Sequence, residues 1–540
     1  MTRIDANWRE LTRKEAYRTQ NSDSGPGTLD CLSIQPSPAQ SNLIKPKLNI
    51  CQTRPPAADL VSHYGLEISH SRTGWGESLC ESRPQPSTQT PLNWPPASPV
   101  VAIDRQRSDC ENVKMNRLPQ FKWVLALCLL QFCVAGAVDA KEFNVKTLGA
   151  VGDGTNPDTA AFQKALDACA STGGGTVVVP AGNYLIGSVV LGGNTTLKIS
   201  TGANLIGSTN IADYPLVQGR FEGELGQAHR ALISAENANH IAITGNGSIT
   251  GPPVELGRLR NPRGPVLIEF VGCTNVTLDG FSTRYQRLWS IHPLFCQDVT
   301  IRNLTIRSTL VNGDGIDVDS SRNVRIENCD INTGDDAISL KSGRGASAAR
   351  MDRPTENVTI KNCKLISSNF AGLGIGTELS GGIDNTLLED CTISGRQNGI
   401  FLKSRDGRGG YIKNFTGLNL TISNSPTFLN IDLLDKGIQA TDPVTGDPDQ
   451  WTQLSNISFK HIHVNNVSYL LRAHEVPSQR PIDGFTLADV QGNCGKALDM
   501  AYMKNVALSG IHLSHYQGPL LTESHVEGTG ISALTTEKDP

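Results

Sequence analysis

The phrase Asn275-Val276-Thr277-Leu278 recurs along this chain at a nearly fixed interval. Val276, Val299 and Val324 hold the same place in three successive copies. The interval of roughly 25 residues is typical of a solenoid, in which each coil stacks on the previous one. The further copies are Asp298-Val299-Thr300-Ile301, Asn323-Val324-Arg325-Ile326, Asn357-Val358-Thr359-Ile360 and Asn385-Thr386-Leu387-Leu388.

The pattern inside each coil is that of strands. Apolar residues alternate with polar ones, β-branched residues are frequent, and Asn and Gly stand at the corners. The apolar period of two excludes an α-solenoid, and the consensus of leucine-rich repeats is absent. The sequence therefore predicts an all-β fold, a β-solenoid that covers residues 141–535.

One stretch, residues 158–170, is predicted to be helical. Asp158 is the expected N-cap residue. Apolar side chains follow it at helical spacing, at Ala161, Phe162, Ala165, Leu166 and Cys169. We expect this short helix to close the N-terminal end of the solenoid, because exposed strand edges invite aggregation.

A second strand follows each copy of the phrase, and these strands can be aligned with one another. Strand side chains alternate between two faces, so we align as inward-facing residues Ile316, Ile338, Ile375 and Ile400. The outward-facing residues then stack into two columns. The first column contains His292, Asp317, Ser339, Gly376 and Phe401. The second contains Leu294, Asp319, Lys341, Glu378 and Lys403.

Three acidic residues stand at the start of two successive strands in this alignment. They belong to Asn312-Gly313-Asp314-Gly315 and Gly334-Asp335-Asp336. Neighbouring coils lie roughly 4.8 Å apart, so Asp314 and Asp336 should be neighbours, with Asp335 beside them. We expect the three head groups at a bend, turned to solvent, because a carboxylate in a dry core is costly. Mutual repulsion should raise the pKa of at least one, which suits a glycoside hydrolase that donates a proton and activates water.

Composition and charge narrow the class of partner. The chain has 540 residues and a formal net charge of −4, so nothing predicts nucleic-acid binding. An acidic substrate would be held by a local group of cations. No metal site and no cofactor are expected. Three cysteines, Cys329, Cys363 and Cys391, recur at equivalent repeat positions, and we interpret them as small buried residues rather than disulfide partners.

Residues 1–140 differ from the rest of the chain. Residues 1–114 are rich in Pro, Ser and Arg and lack apolar periodicity. Residues 115–140 begin with positive charge, continue with an apolar run at 123–134, and end in small residues. This pattern predicts a secretory signal peptide cleaved after Ala137 or Ala140, because the apolar run is too short for a bilayer span of roughly 20 residues. We therefore expect a secreted protein, periplasmic or extracellular, without stable membrane association. The segment before the signal peptide is interpreted as mis-assigned upstream sequence, with a disordered tail before a membrane anchor as the alternative.

Residues 145–515 resemble glycoside hydrolase family 28, the polygalacturonases. The family's Asn-x-Asp motif matches Asn312 and Asp314, and its Gly-Asp-Asp motif matches residues 334–336. Other matching segments are Leu148-Gly149-Ala150-Val151-Gly152-Asp153-Gly154, Gly173-Gly174-Gly175-Thr176, Val179-Pro180-Ala181-Gly182 and Trp289-Ser290-Ile291-His292-Pro293. The resemblance implies a right-handed parallel β-helix that hydrolyses pectic polysaccharide with inversion. It also implies that Asp335 is the general acid, while Asp314 and Asp336 activate water.

Two segments depart from the family's pattern. No histidine lies in Phe370-Ala371-Gly372, where the family's Gly-His-Gly motif falls, and Phe401-Leu402-Lys403 replaces its Arg-Ile-Lys. Arg405 has the same expected outward parity as Lys403 and is a substitute for the lost arginine. The predicted substrate-binding residues are Asn312, Lys403, Arg405, Lys341 and His292. For His292 the alternative is a structural hydrogen bond, and for Lys341 an ion pair with Glu378 or Asp319.

These departures leave other functions open. A rhamnogalacturonan or another substituted pectin is the alternative substrate within the same family. A pectate lyase on the same architecture would need calcium and a cationic base instead of an acid and a water molecule. A non-catalytic, carbohydrate-binding β-helix is the third possibility, because the histidine and the arginine are absent.

Overall fold

The computed structural model describes residues 141–252, 254–285, 288–434 and 448–535. The predicted signal peptide and the segment before it lie outside these residues. Within the described ranges, strands of successive coils pair in parallel and form the three faces of a solenoid. The chain folds into a right-handed parallel β-helix, which confirms the predicted all-β class.

We number the three sheets in the order in which one coil visits them. The strands of the first sheet are Glu142–Asn144, Gly175–Val179, Thr195–Ile199, Asn239–Thr244, Thr274–Asp279, Gln297–Arg302, Arg322–Glu327, Thr355–Lys361 and Ile383–Glu389. Those of the second sheet are Asp153–Pro157, Gly182–Ile186, Ala203–Gly207, Ser248–Thr250, Ser282–Arg284, Thr305–Arg307, Asp330–Thr333, Lys364–Ser367 and Thr392–Gly395. Those of the third sheet are Val189–Val190, Ile233–Glu236, Ile268–Val271, Ile291–Leu294, Ile316–Asp319, Ile338–Lys341, Ala371–Ile375, Asn398–Lys403 and Thr427–Asp432.

Other elements complete the described part of the chain. Long strands continue the coils toward the C-terminal end, at Tyr411–Ser423, Gln453–Glu475, Ile482–Ser514 and Leu521–Thr529. An antiparallel hairpin consists of Leu216–Phe221 and Glu224–His229. The helices are Thr159–Ser171, Val254–Gly257, Gly345–Met351 and Ile531–Thr535, with 3₁₀ turns at Val145–Leu148, Ile211–Asp213 and Pro448–Gln450. Among these described helices, none has the length and apolar character that a membrane crossing requires.

The leading asparagine of the recurring phrase turns the chain into the first sheet. Asn323, Asn357 and Asn385 have φ angles of 55°, 55° and 53°, in the left-handed region that asparagine tolerates better than most residues. Their side chains also bond along the stack. Asn357 Nδ2 donates to Asn323 Oδ1 at 3.0 Å, and Asn385 Nδ2 donates to Asn357 Oδ1 at 2.7 Å. The asparagine therefore supplies both the corner conformation and a ladder that joins successive coils.

The second residue of the phrase points into the core. Val276, Val299, Val324 and Val358 pair in register on successive coils and are at most 1% exposed. Burial of each such side chain contributes roughly 1.5–3 kcal/mol. The recurring cysteines pack nearby as unpaired, buried residues, as predicted, at Cys329, Cys363 and Cys391.

The predicted N-terminal helix is present at Thr159–Ser171. It buries Phe162, Ala165, Leu166 and Cys169. Asp158 stands at the N-cap position, but its carboxylate does not cap the helix. Instead it accepts hydrogen bonds from the backbone nitrogens of Val151 and Gly152, at 2.6 and 3.1 Å. Asp158 therefore ties the preceding loop to the start of the helix.

Of the four residues aligned in the third sheet, three are in register and one, Ile375, is not. Ile316 pairs with Ile338 as expected. Ile338 then pairs with Leu373 rather than with Ile375, and Leu373 pairs with Ile400. The error is a shift of two residues, which leaves every side chain on the same face. Alternation of apolar and polar residues cannot detect such a shift.

The corrected register changes both outward-facing columns. Gly374, rather than Gly376, lies between Ser339 and Phe401 in the first column. Glu378 leaves the second column, because it lies beyond the end of the strand Ala371–Ile375. Glu378 therefore does not stand between Lys341 and Lys403 in that column.

Candidate active site

The three predicted catalytic acids meet where the second sheet turns into the third. One carboxylate oxygen from each of Asp314, Asp335 and Asp336 lies within 4.8 Å of the others. Glycines allow the neighbouring turns to approach this closely. A Cβ atom at Gly315 would collide with the backbone oxygen of Ala337. The glycine that follows Asp314 therefore has a steric reason to be there.

Asp335 is held by backbone donors on both oxygens. Its Oδ2 accepts from the backbone nitrogen of Asn312 at 2.8 Å, and its Oδ1 accepts from the backbone nitrogen of Asp336 at 2.9 Å. Asn312 has a φ of 61°, in the left-handed region. The side-chain oxygen of Asn312 accepts a hydrogen bond from Arg260. The predicted substrate-binding residue Asn312 thus connects Asp335 to a cation that sequence reasoning did not single out.

Asp336 has one backbone donor and one cation. Its Oδ1 accepts from the backbone nitrogen of Ala371 at 3.0 Å, and its Oδ2 accepts from Lys403 Nζ at 3.0 Å. Gly374 leaves the space for this carboxylate, because a Cβ atom there would collide with it. Lys403 therefore lies inside the acid cluster and is bonded to one of its members.

The acids are more deeply buried than expected. They lie at a bend, as predicted, but Asp314, Asp335 and Asp336 are only 4%, 8% and 2% exposed. Burial, followed by repulsion from Asp336, raises the pKa of Asp335 to about 6. Burial, followed by the charges of Asp317 and Asp335, raises the pKa of Asp314 well above its ordinary value. The predicted rise in pKa is therefore present, and loss of solvent is its first cause.

Lys341 is buried near the acids and contacts other carboxylates. Its Nζ is 3.5 Å from Asp317 Oδ1, 3.6 Å from Glu378 Oε1, and 5.0 Å from the ring centre of Trp289. Its side chain is 8% exposed. Burial alone would raise the pKa of Glu378, but the nearby cations, Lys341 first, outweigh it and hold that pKa at about 2. Of the two predicted roles, the structure shows the ion pair with Glu378.

His292 is not placed to touch a substrate. The predicted contact fails because the side chain is fully buried. Its Nδ1 lies 2.9 Å from Glu269 Oε1, and its Nε2 lies 3.6 Å from Asp319 Oδ2. Burial disfavours the imidazolium, but the two carboxylates outweigh burial and raise the pKa of His292. The structural hydrogen bond is the arrangement that the structure shows.

Arg405 also differs from its expected position. The prediction that Arg405 points outward requires the strand to continue to residue 405, but the strand Asn398–Lys403 ends two residues earlier. Arg405 is 4% exposed and begins a turn in which its carbonyl oxygen accepts from the backbone nitrogen of Arg408. Phe401 is half-buried on the outer face, and Lys403 Nζ lies 5.4 Å from its ring centre.

Comparison with known proteins identifies the family. The model of glycosyl hydrolases family 28 matches residues 169–511, which include all three acids. The chain belongs to glycoside hydrolase family 28. It is therefore a glycoside hydrolase, and the family predicted from its motifs is confirmed.

Individual relatives agree with this assignment. A probable polygalacturonase of Vitis vinifera is 31% identical over 359 residues, 63% of this chain and 72% of that one. An exo-poly-alpha-D-galacturonosidase of Dickeya chrysanthemi is 27% identical over 323 residues, 50% and 53% of the two chains. The family 28 exopolygalacturonase of Yersinia enterocolitica has a similar fold, with a TM-score of 0.63 and 22% identity over 72% of this chain and 78% of that one.

This family 28 chain has one structural feature that sequence reasoning missed. The hairpin Leu216–His229 lies against the outer face of the third sheet. Arg220 Nη1 donates to Asp319 Oδ1 at 2.7 Å, and Phe221 packs on Trp289 with ring centres 5.5 Å apart. Its two-residue turn, Glu222-Gly223, has positive φ at both positions. Such a turn is usually signalled by Asn-Gly or Asp-Gly, so Glu-Gly gave a weak signal.

The acid cluster is also the place where carboxylates could surround a cation. Asp314, Asp335 and Asp336 each offer an oxygen at suitable mutual distances. The ammonium group of Lys403 already bonds one of these oxygens. Backbone N–H groups bond both oxygens of Asp335. The arrangement is that of acids held in place by hydrogen bonds, with an internal cation among them.

Proposed function

We propose that this protein hydrolyses the glycosidic bonds of pectic polysaccharide with inversion at the anomeric carbon. The observation that carries the proposal is the buried cluster of Asp314, Asp335 and Asp336, in which one carboxyl has a pKa of about 6. A carboxyl with a raised pKa can donate a proton near neutral pH, while neighbouring carboxylates activate water. The names of the Vitis and Dickeya relatives support a galacturonate-containing substrate.

Each acid receives a role from its contacts. Asp335 donates its proton to the oxygen of the leaving group as the C–O bond breaks. The backbone N–H groups of Asn312 and Asp336 then stabilise the carboxylate that remains. Asp336, which is bonded to Lys403, takes the proton of a water molecule as that water attacks the opposite face of the sugar, and Asp314 helps to orient the water. Lys403 holds the Asp336 carboxylate in place at 3.0 Å.

The spacing of the acids bears on the stereochemistry. Inverting enzymes typically separate their two carboxyl groups by about 6.5–9.5 Å, and retaining enzymes by about 5–5.5 Å. Here one oxygen from each of the three acids lies within 4.8 Å of the others. This distance joins selected oxygens and is shorter than the separation of the whole carboxyl groups, so it does not by itself choose between inversion and retention. The inverting proposal rests on the family resemblance and on a base formed by two carboxylates. The anomer of the first product, observed by NMR, decides between the two.

We also propose that the enzyme attacks the end of its substrate. The outer face of the third sheet is covered at its early coils, where His292 and Asp317 are fully buried. Beyond the acids, Phe401, Lys403 and Asn430 are half-exposed on the same face. The hairpin packs on Trp289 and Asp319 on the side of the earlier coils, so we infer that the substrate chain continues toward the later coils. The name of the Dickeya relative, an exo-acting enzyme, supports the same proposal.

Secretion is proposed from the sequence of residues 115–140. A polysaccharide too large to enter a cell requires an enzyme that is exported, and a signal peptide would provide that route.

Asp335→Asn tests the proposed function. Turnover should fall by at least about 10²-fold, because general acid catalysis contributes that much or more. Asp330→Asn is the matched control, since Asp330 is a half-exposed acid paired with Arg307 on the second sheet. Reducing-sugar release from a panel of pectic fragments measures both variants. Near-normal turnover of Asp335→Asn contradicts the assignment, and an unsaturated, ultraviolet-absorbing product that requires calcium identifies a lyase instead.

A further inference from the structure

A cleft of about 430 Å³ lies between the hairpin Leu216–His229 and the loop that contains Arg260. This volume is in the range of small-molecule sites. The cleft has an unusual concentration of guanidinium groups. Its lining includes Arg220, Arg260, Arg263 and Arg344.

Three of these four arginines already have carboxylate partners. The pairs are Arg220–Asp319 at 2.7 Å, Arg263–Glu269 at 3.0 Å and Arg344–Glu224 at 2.6 Å. Arg260 differs in this respect. It is exposed, and its described hydrogen-bond partner is the neutral side-chain oxygen of Asn312. Its guanidinium group also lies 5.1 Å from the ring centre of Phe221, which limits its freedom to rotate. Arg260 therefore combines an oriented guanidinium plane with a charge that no described carboxylate neutralises.

Arg260 is also close to the proposed chemistry. Its side chain donates to the Asn312 side chain, and the Asn312 backbone nitrogen donates to Asp335 at 2.8 Å. The cleft therefore begins two hydrogen bonds away from the proposed general acid. Phe401 lies on the other side of the acids, two coils from Asp336 and so roughly 10 Å away along the axis. The acids consequently separate Arg260 from Phe401.

We propose that Arg260 binds the carboxylate of a uronic acid residue of the substrate and selects for it on this side of the scissile bond. The inference rests on the proposed function and adds a specificity-determining residue to it. A guanidinium group binds a carboxylate through two parallel N–H donors, and only one donor of Arg260 is used by Asn312. On the opposite side of the acids, the cation beside Phe401 is Lys403, which is already bonded to Asp336. Arg260 supplies a cation whose described partner is a neutral amide oxygen, so we assign recognition of the substrate carboxylate to the cleft.

Glu222 provides a second, opposite test of the same idea. It stands at the tip of the hairpin and is one of the residues that line the cleft. A substrate carboxylate bound at Arg260 would be repelled by Glu222. Removal of that charge should therefore strengthen binding of an acidic sugar and leave a neutral one unaffected.

The experiment compares trigalacturonate with its methyl ester on the full-length protein. Arg260→Gln should lower kcat/KM for the free acid by at least about tenfold, and that for the ester by much less, because only the acid loses a charge-assisted hydrogen bond. Arg260→Lys should be intermediate, since an ammonium keeps the charge but loses the fork. Glu222→Gln should raise kcat/KM for the acid only. Arg258→Gln, a change at an exposed arginine of the same loop, is the control and should match the wild type.

Two results overturn the inference. An equal loss on both substrates in Arg260→Gln would mean that Arg260 only positions Asn312 and Asp335, and a shifted pH profile on the ester would accompany it. No loss on either substrate in Arg260→Gln would mean that Arg260 does not bind the substrate carboxylate. Calorimetric binding of trigalacturonate to Asp335→Asn, with and without Arg260→Gln, gives the same answer without catalysis. If binding depends on Arg260 but the wild type cleaves neither compound, the proposed function fails while this inference stands.

Discussion

Asp335 is expected to set the alkaline limit of activity, and its two charged neighbours should move that limit in opposite directions. With a pKa of about 6, about nine-tenths of the carboxyl is protonated at pH 5 and about one-tenth at pH 7. With the ordinary value of 3.8, only about 6% would be protonated at pH 5. The raised pKa therefore increases the active fraction about fifteenfold at that pH. Activity should fall about tenfold between pH 5 and pH 7.

The direction of each shift follows from the sign of the charge that is removed. Lys403 lowers the pKa of Asp335 and Asp336 raises it. Lys403→Met should therefore move the alkaline limb of the profile to higher pH, and Asp336→Asn should move it to lower pH. Both variants should also lose turnover, but this loss lowers the whole pH profile and does not change the pH at which activity falls. The measurement is kcat/KM on a pectic oligosaccharide from about pH 4 to about pH 8, because this quantity reports the free enzyme. If the alkaline limb of the profile stays in place in both variants, or moves opposite to these directions, Asp335 is not the general acid.

Three further predictions concern stability, specificity and processing. Lys341→Met should lower the free energy of unfolding by about 3–5 kcal/mol, because it leaves buried carboxylates without their cation. Lys361→Met, at a pair whose lysine is 38% exposed, should lower the free energy of unfolding far less than Lys341→Met does, because solvent screens the pair. Equal losses in urea titrations would contradict this. Phe401→Arg should raise kcat/KM on polygalacturonate relative to rhamnose-containing pectin. The reasoning would be wrong if the wild type prefers plain polygalacturonate and Arg405→Ala loses that preference, because Arg405 would then bind the galacturonate carboxylate. Secreted protein should begin near Val138 or Lys141 by N-terminal sequencing, and peptides from residues 1–114 in it would contradict the signal peptide.

The solenoid and the acid cluster can be predicted from the sequence. A repeat of nearly fixed length with strand alternation places equivalent residues on adjacent coils. Residues one repeat apart in the sequence therefore lie one coil spacing apart in the structure. Asp314 and Asp336 are predicted neighbours for this reason, and their oxygens lie within 4.8 Å. The Asn phrases likewise predict the corners, because few other residues adopt positive φ at low cost.

What covers the third sheet, and which cations remain available, depends on packing between distant parts of the chain. The predicted register of Ile375 is wrong because a shift of two residues preserves the alternation of faces. His292 is buried next to Trp289 and Asp319, and the hairpin that packs on these two neighbours comes from a distant part of the sequence, so no local pattern predicts it. Arg405 looks accessible only while its strand is assumed to continue. The exposure of a charged side chain depends on long-range contacts, and these arise from packing that the periodicity of one strand does not encode.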